Sequence, residues 1–211
     1  GDPIENQYLR WHFNGTLELL AIMLDYYLYS QDKAFLREKL LPTADDYMTW
    51  WIEHWMLDSN GKLVMEPSQA LETYWGVTNP SCDIAGLQWC LQQLLNMSDD
   101  EIGADRRELW TNFLENVPEI PIMEQRKWFK KFEVIAPCEP KVPKRSNVEN
   151  PRLYPIFPFR LYGVGKPNLG LARNTFKTRV QKHNFHGWGQ DDTHAAFLGL
   201  AKDCKKMILQ R

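Results

Sequence analysis

The sequence predicts an all-α fold of helical hairpins, with a short strand or hairpin and one long Pro-rich loop between them. Three observations predict it. Apolar residues recur at threes and fours over most of the chain, helix-capping signals stand where that pattern restarts, and prolines crowd into a single stretch. At 211 residues the chain is long enough for one domain with its own core.

The first helix is expected from about Glu5 to Tyr29, with Leu17, Leu20, Ala21, Leu24, Tyr27 and Leu28 on its apolar stripe. Ser30-Gln31-Asp32 breaks the pattern, and Asp32 has the right chemistry to cap the next helix. A second helical region covers about Lys33 to Met56, with a new segment or kink at Pro42. Asp58-Ser59-Asn60-Gly61 reads as a turn and Lys62 to Met65 as a short strand. After the loop from Glu66 to Pro80, Ser81 is expected to cap a third helix reaching about Leu95. Ser98 and Glu101 form a capping box for a fourth, reaching about Asn116.

The texture then changes. Pro118, Pro121, Pro137, Pro140, Pro143, Pro151, Pro155 and Pro158 exclude long helix, and Lys127 to Ala136 can form a short strand or hairpin. Tyr154, Ile156, Phe157, Phe159, Leu161 and Tyr162 carry too much apolar surface for a disordered linker. A fifth helix is expected from about Leu169 to Gln181, and a sixth from about Asp192 to the end. The organisation is therefore a single domain over 1–211 with three helical hairpins, 5–56, 81–116 and 169–211, and a Pro-rich connection over 117–168. The last helix runs to Gln210-Arg211 without a glycine stop, and the first begins almost at once, so the chain reads as a fragment of a larger protein.

Composition narrows the function. Hydrophobic residues make up 44% and charged residues 25%, as in ordinary globular proteins. A net charge of -2 gives no electrostatic case for nucleic acid or an anionic membrane surface. No apolar run reaches the roughly 18 residues of a spanning helix, and Gly1-Asp2-Pro3 opens no signal peptide. Cys82, Cys90, Cys138 and Cys204 match no zinc or redox spacing and read as free core thiols. Two sequons, Asn14-Gly15-Thr16 and Asn96-Met97-Ser98, say little about compartment.

Candidate chemistry collects in three places. The first is Glu66 to Trp75, where Glu72 stands beside Tyr74 and Trp75. A loop glutamate ordinarily faces solvent or caps a helix. Here Pro67 and Asn79-Pro80 restrict the loop at both ends, and two aromatic rings need something to pack on or bind. A carboxyl beside such rings loses water, which raises its pKa toward general-acid use. Glu66, preceding Pro67, reads as a loop anchor. The second place is Asn184 to His194. Asp191 and Asp192 precede a helix and can act as N-terminal caps, yet capping needs one of them. His186, Trp188, Gln190 and His194 complete a polar-aromatic cluster of the kind that holds sugar hydroxyls. The histidine and aspartate spacing fits no standard metal site, and no cofactor is expected. The third is Arg152 to Tyr162, an ordered loop from which Arg160 and Tyr162 can reach substrate. The basic run from Lys141 to Arg145 reads as a solvated face. Neither a phosphate-binding P-loop nor a Gly-x-Ser-x-Gly elbow is present.

The segment Pro67-Ser68-Gln69-Ala70-Leu71-Glu72-Thr73-Tyr74-Trp75, followed by Asn79-Pro80 and Asp83-Ile84-Ala85-Gly86-Leu87, resembles the acid-bearing loop of six-hairpin glycosidases. It is most similar to that of the inverting α-L-fucosidases, whose Pro-Ser-x-Ser-Pro-Glu-Asn segment falls on Pro67 to Thr73. Leu71 replaces the family's proline and Thr73 its asparagine. Gly187-Trp188-Gly189 resembles the Gly-Trp-Ser turn of the same group, and Tyr154 to Pro158 with Gly187 to Asp191 look like a branch of bacterial glycosidase-like proteins. The resemblance implies part of an (α/α)6 toroid, about half of a barrel of twelve helices. It implies a glycoside hydrolase in which Glu72 is the general acid and Asp191, or else Asp192, the base. Tyr74, Trp75, Asn79, Arg160, His186, Trp188 and Gln190 would bind a carbohydrate. It also implies secretion or a periplasmic location. The remainder of the polypeptide, or a second chain, would complete the barrel and cover apolar helix faces. The family's water-positioning asparagines are expected outside this chain. A noncatalytic glycan-binding or scaffold relative is the alternative, favoured by the changes at Leu71 and Thr73.

Overall fold

A computed structural model describes residues 5–180 and 189–210. Its largest core forms between α1 (Asn14–Ser30) and α4 (Ser81–Leu95). Leu17, Leu20, Leu24 and Tyr27 from α1 meet Ile84, Leu87, Leu91 and Leu94 from α4, all buried. Gly86 permits this approach: a Cβ there would lie 2.7 Å from Leu17 Cδ1 and 2.9 Å from Phe159 Cζ. The core is extended by Met48 and Trp51 of α3 (Leu41–His54) and by Trp110 and Phe113 of α6 (Ala104–Asn116).

The expected capping chemistry is present. Asp32 accepts from the backbone N–H groups of Ala34 and Phe35 at the start of α2 (Lys33–Phe35). A π-helical turn over Leu36–Leu40 runs without a break from α2 into α3, with Leu41 N–H donating to the Leu36 carbonyl, so that Pro42, which has no N–H, follows a widened turn inside a continuous helix. Ser98 and Glu101 make the capping box of α5 (Asp99–Ile102), but Gly103, at φ 83, ends that turn before α6 begins. The cap of α4 is Pro80 rather than Ser81, whose N–H donates to the Pro137 carbonyl at 2.9 Å.

The all-α expectation is corrected. Helix makes up 49% and strand 13%, the latter in three small antiparallel two-stranded sheets among the described residues, so the fold is mixed α/β. The physical reason is that segments barred from helix by proline and glycine must still pair their backbone groups, and tight hairpins do so locally. β1 (Met56–Leu57) and β2 (Leu63–Val64) flank the expected Asp58 turn. β3 (Ser68–Ala70) and β4 (Tyr74–Val77) form inside the segment expected to be only a loop. β5 (Ile122–Lys127) and β6 (Lys130–Ile135) form the hairpin expected within the Pro-rich connection, starting a few residues earlier.

The first helix also starts later than expected. Residues 5–13 run instead against β3, because the Gln69 side chain accepts from Trp11 N–H (2.8 Å) and donates to the Tyr8 carbonyl (2.8 Å). A second core joins the Pro-rich segment to the C-terminal elements α7 (Leu169–Lys177), α8 (Asp191–Phe197) and α9 (Ala201–Ile208). The expected sixth helix is split at Gly199, φ 67, which closes α8. All four cysteines are free, as their spacing indicated.

Candidate active site

Glu72 sits on the turn of the β3–β4 hairpin. Gln69 faces Trp75 and Ala70 faces Tyr74 across the ladder. Leu71 adopts a left-handed conformation, φ 51, with its side chain buried, which brings the chain round so that Thr73 N–H donates to the Ala70 carbonyl at 3.3 Å. The Glu72 carbonyl accepts from Trp75 Nε1 at 2.8 Å. Part of the Pro-rich connection lies across the turn. Ser146 N–H donates to the Thr73 carbonyl (2.8 Å), Thr73 Oγ1 to the Glu149 carbonyl (3.2 Å), and Glu72 N–H to Glu149 Oε2 (2.9 Å). Asn147 Nδ2 donates to Glu72 Oε2 at 2.7 Å, fixing that carboxylate oxygen.

This arrangement gathers carboxyl groups. Burial raises the pKa of Glu149, and the charge of Glu72 adds to that while its N–H opposes it. Burial, and then the charge of Glu149, lifts Glu18 on α1 to about 7. Tyr154 is kept firmly neutral by burial and by the surrounding charges, Glu18 first. Burial lowers the His12 pKa against the pull of Glu72. Beneath them, wholly buried Asp83 accepts from Asn14 Nδ2 (2.9 Å) and Ser68 Oγ (3.1 Å), and burial raises it to about 7. Desolvation disfavours the charged form, so Glu18, Glu149 and Asp83 all hold their protons to higher pH than an exposed carboxyl does. Among the described residues, His12 Nε2 and Asn14 Oδ1 are buried here without a hydrogen-bond partner. The burial of Asn14 also removes it as a glycan acceptor.

The remaining sequence candidates fall in different places. Tyr74 is half-buried next to Glu72, and burial raises its pKa. The Trp75 ring meets Tyr8 edge-on, with centroids 5.1 Å apart. Asn79 is a structural clamp: Oδ1 accepts from Met65 N–H (2.9 Å) and Nδ2 donates to Glu139 (3.3 Å). Glu66 is exposed. Arg160 reaches back to α1, where Nη2 donates to Asp25 Oδ1 (2.8 Å) and the guanidinium covers Trp89 at 4.3 Å. Asp25 lies two turns, about 10 Å, along α1 from Glu18. Arg160 and Tyr162 line a cleft of about 570 Å³ there.

At the other candidate cluster, Gln190 precedes α8 and its carbonyl accepts from His194 N–H at 2.9 Å, with no capping bond from its side chain. Asp191 is held by Arg179 through a largely buried ion pair of 2.6 Å. Asp192 Oδ1 accepts from Thr193 N–H at 3.0 Å. His194 is buried, its Nε2 is 3.3 Å from the Phe157 carbonyl, and burial lowers its pKa to about 4. His186 and Trp188 lie outside the described residues. Glu72, Tyr74 and Trp75 are therefore gathered on one hairpin, while Asp191 and Asp192 sit at a separate helix start.

Sequence reasoning missed Glu18, His12, Asn147 and Glu149. Glu18 left a trace: with Asn14 one turn before it, it borders the apolar stripe through Leu17 and Ala21. Asn147 and Glu149 left none, because their place on the hairpin comes from a connection about 75 residues away. Among the described residues, no group of three or more histidine, cysteine or acidic side chains is placed to hold a metal ion, and no helix is long and apolar enough to cross a membrane. Compared with known families and characterised proteins, the chain matches no family model and no curated sequence.

Proposed function

We infer that the chain carries the acid-bearing part of a glycoside hydrolase site. The observation that supports this best is the carboxyl group set around the β3–β4 turn, Glu72 with Glu149 and Glu18, beside the largely buried Tyr154 hydroxyl. Glycosidic cleavage needs one protonated and one ionised carboxyl flanking the bond. Glu18, raised to about 7 by burial, and Glu149, raised by burial, stand close enough to the turn to feel its charges and offer protonated carboxyls there. Glu72, one oxygen tied to Asn147, is the proposed donor to the leaving oxygen. Asp191 or Asp192 is the proposed base that activates water, and an inverting outcome would place acid and base roughly 6.5–9.5 Å apart in the working site. The aromatic rings supply apolar faces for a pyranose.

The partners in this proposal are a carbohydrate and the remainder of a six-hairpin barrel, from the same polypeptide or a second chain. Leu19, Ile22, Tyr26 and Tyr29 support the latter. They repeat at threes and fours on the outer face of α1 and are 46%, 66%, 50% and 88% exposed, on a helix whose other face is already buried.

A noncatalytic glycan-binding relative is the second reading. The buried Leu71 and Thr73 favour it, since both altered motif positions serve packing and the bond to Glu149. Reducing-sugar release by the intact protein and its Glu72→Gln variant decides between them. Loss of about 100-fold or more supports the acid assignment. Undiminished release overturns it, and glycan binding without turnover by the unaltered protein supports the second reading.

A further inference from the structure

The tip of the β5–β6 hairpin combines two features that are each costly for a fold. Trp128 and Phe129 form its two-residue turn and are 84% and 97% exposed. Trp128 holds a left-handed backbone, φ 59, where tight hairpins ordinarily place glycine, asparagine or aspartate. Behind the tip, Lys127 stands opposite Lys130 and Arg126 opposite Lys131. Like charges directly across a ladder repel. Only Lys131 has an acidic partner among the described residues, Glu124 at 2.9 Å. Nothing in the packing of the domain needs an exposed tryptophan in a glycine-like conformation inside four cations.

We propose that this hairpin tip docks on an anionic lipid surface, inserting Trp128 and Phe129 at the headgroup level while Arg126, Lys127, Lys130 and Lys131 meet the lipid phosphates and carboxylates. The strand repeat decides the geometry. Lys127 and Lys130 form the rung beside the turn, and Arg126 and Lys131 the next, so the pairs point to opposite faces of the ribbon. That is a collar around an apolar tip, suited to end-on insertion. A platform for an acidic glycan would instead align aromatics and cations on one face. Glu124 and Glu133, opposite each other further back, confine the positive charge to the tip. The net charge of -2, which argued against a membrane surface, averages over this local concentration. The contact is peripheral and independent of the glycosidase reading.

The test is co-sedimentation of the intact protein with vesicles of phosphatidylcholine alone and with 30% phosphatidylserine added (roughly the anionic regime that attracts basic segments). Binding to the phosphatidylserine vesicles alone, weakened by 0.5 M salt (about a 4 Å screening length), is expected. Lys127→Gln with Lys130→Gln should weaken it roughly 25-fold, at about fivefold per charge. Trp128→Gly is the decisive variant. It relaxes the turn, so the protein folds and melts at the same or a higher temperature, yet it should lose most of the binding. Equal binding to both vesicle types, or full binding by Trp128→Gly, overturns the proposal. So does binding to polygalacturonate or heparin with none to either vesicle.

Discussion

Asp83→Asn should stabilise the protein at pH 8 and change it little at pH 4. Asp83 is completely buried in the first turn of α4, and burial lifts its carboxyl from an ordinary 3.8 to about 7, against the opposing hydrogen bonds from Asn14 and Ser68. Between those two values the folded chain binds more protons than the unfolded chain. The group's contribution to stability is therefore fully present below 3.8 and is lost as pH rises through about 7. A carboxyl raised that far corresponds to roughly 4 kcal/mol against folding at pH 8. Asparagine keeps an Oδ1 acceptor for Asn14 Nδ2, and its amide nitrogen donates to Ser68 Oγ, whose hydroxyl turns to accommodate it. Glu18, also raised to about 7, acts in the same direction and remains in the variant. Urea unfolding followed by tryptophan fluorescence at pH 5 and pH 8 measures the effect. The unaltered protein should be less stable at pH 8 than at pH 5, and Asp83→Asn should recover at least about 2 kcal/mol of the difference. If stability does not fall between these pH values, or falls equally in the variant, the reasoning about this buried carboxyl is refuted.

Three other substitutions have defined outcomes. Gly86→Ala should destabilise by about 1–3 kcal/mol in thermal or urea unfolding despite alanine's better helix propensity, because the new methyl meets Leu17 Cβ at 2.8 Å. Glu149→Gln should lower the Glu18 titration midpoint from about 7, as followed by carboxyl NMR, since the Glu149 charge is the second cause of that shift. Asp32→Ala removes the acceptor for Ala34 and Phe35 N–H and should cost about 1 kcal/mol, with no change in the Glu18 titration.

Some of this was legible because it is local. The Asp32 cap, the Ser98–Glu101 box and the Asp58 turn depend on residues within a few positions of one another, and the structure shows each of them. The stripe on α1 comes from helix periodicity: Leu17, Leu20, Ala21, Leu24 and Tyr27 are buried as expected, while Leu28, at the helix end, is exposed. The motif around Glu72 likewise marked a segment that the structure builds into a hairpin carrying Tyr74 and Trp75.

The surroundings of that hairpin could be decided only by tertiary structure. Strand pairing is a contact between segments, so β3 and β4 were read as loop: four or fewer residues each give too short a period to recognise. The Glu5–Phe13 segment left the helical pattern because Gln69, about 60 residues away, takes its backbone groups. The acidic set exists because the Pro-rich connection returns to place Asn147 and Glu149 on the Glu72 turn, where burial and neighbouring charge shift the protons. The sequence by itself determined the Asp32 cap and the Ser98–Glu101 box, which face of α1 is buried and which short segment carries Glu72 beside Tyr74 and Trp75. Chain return and desolvation, which have no period or spacing in a sequence, decided which carboxyl groups share a site and which of them keep a proton.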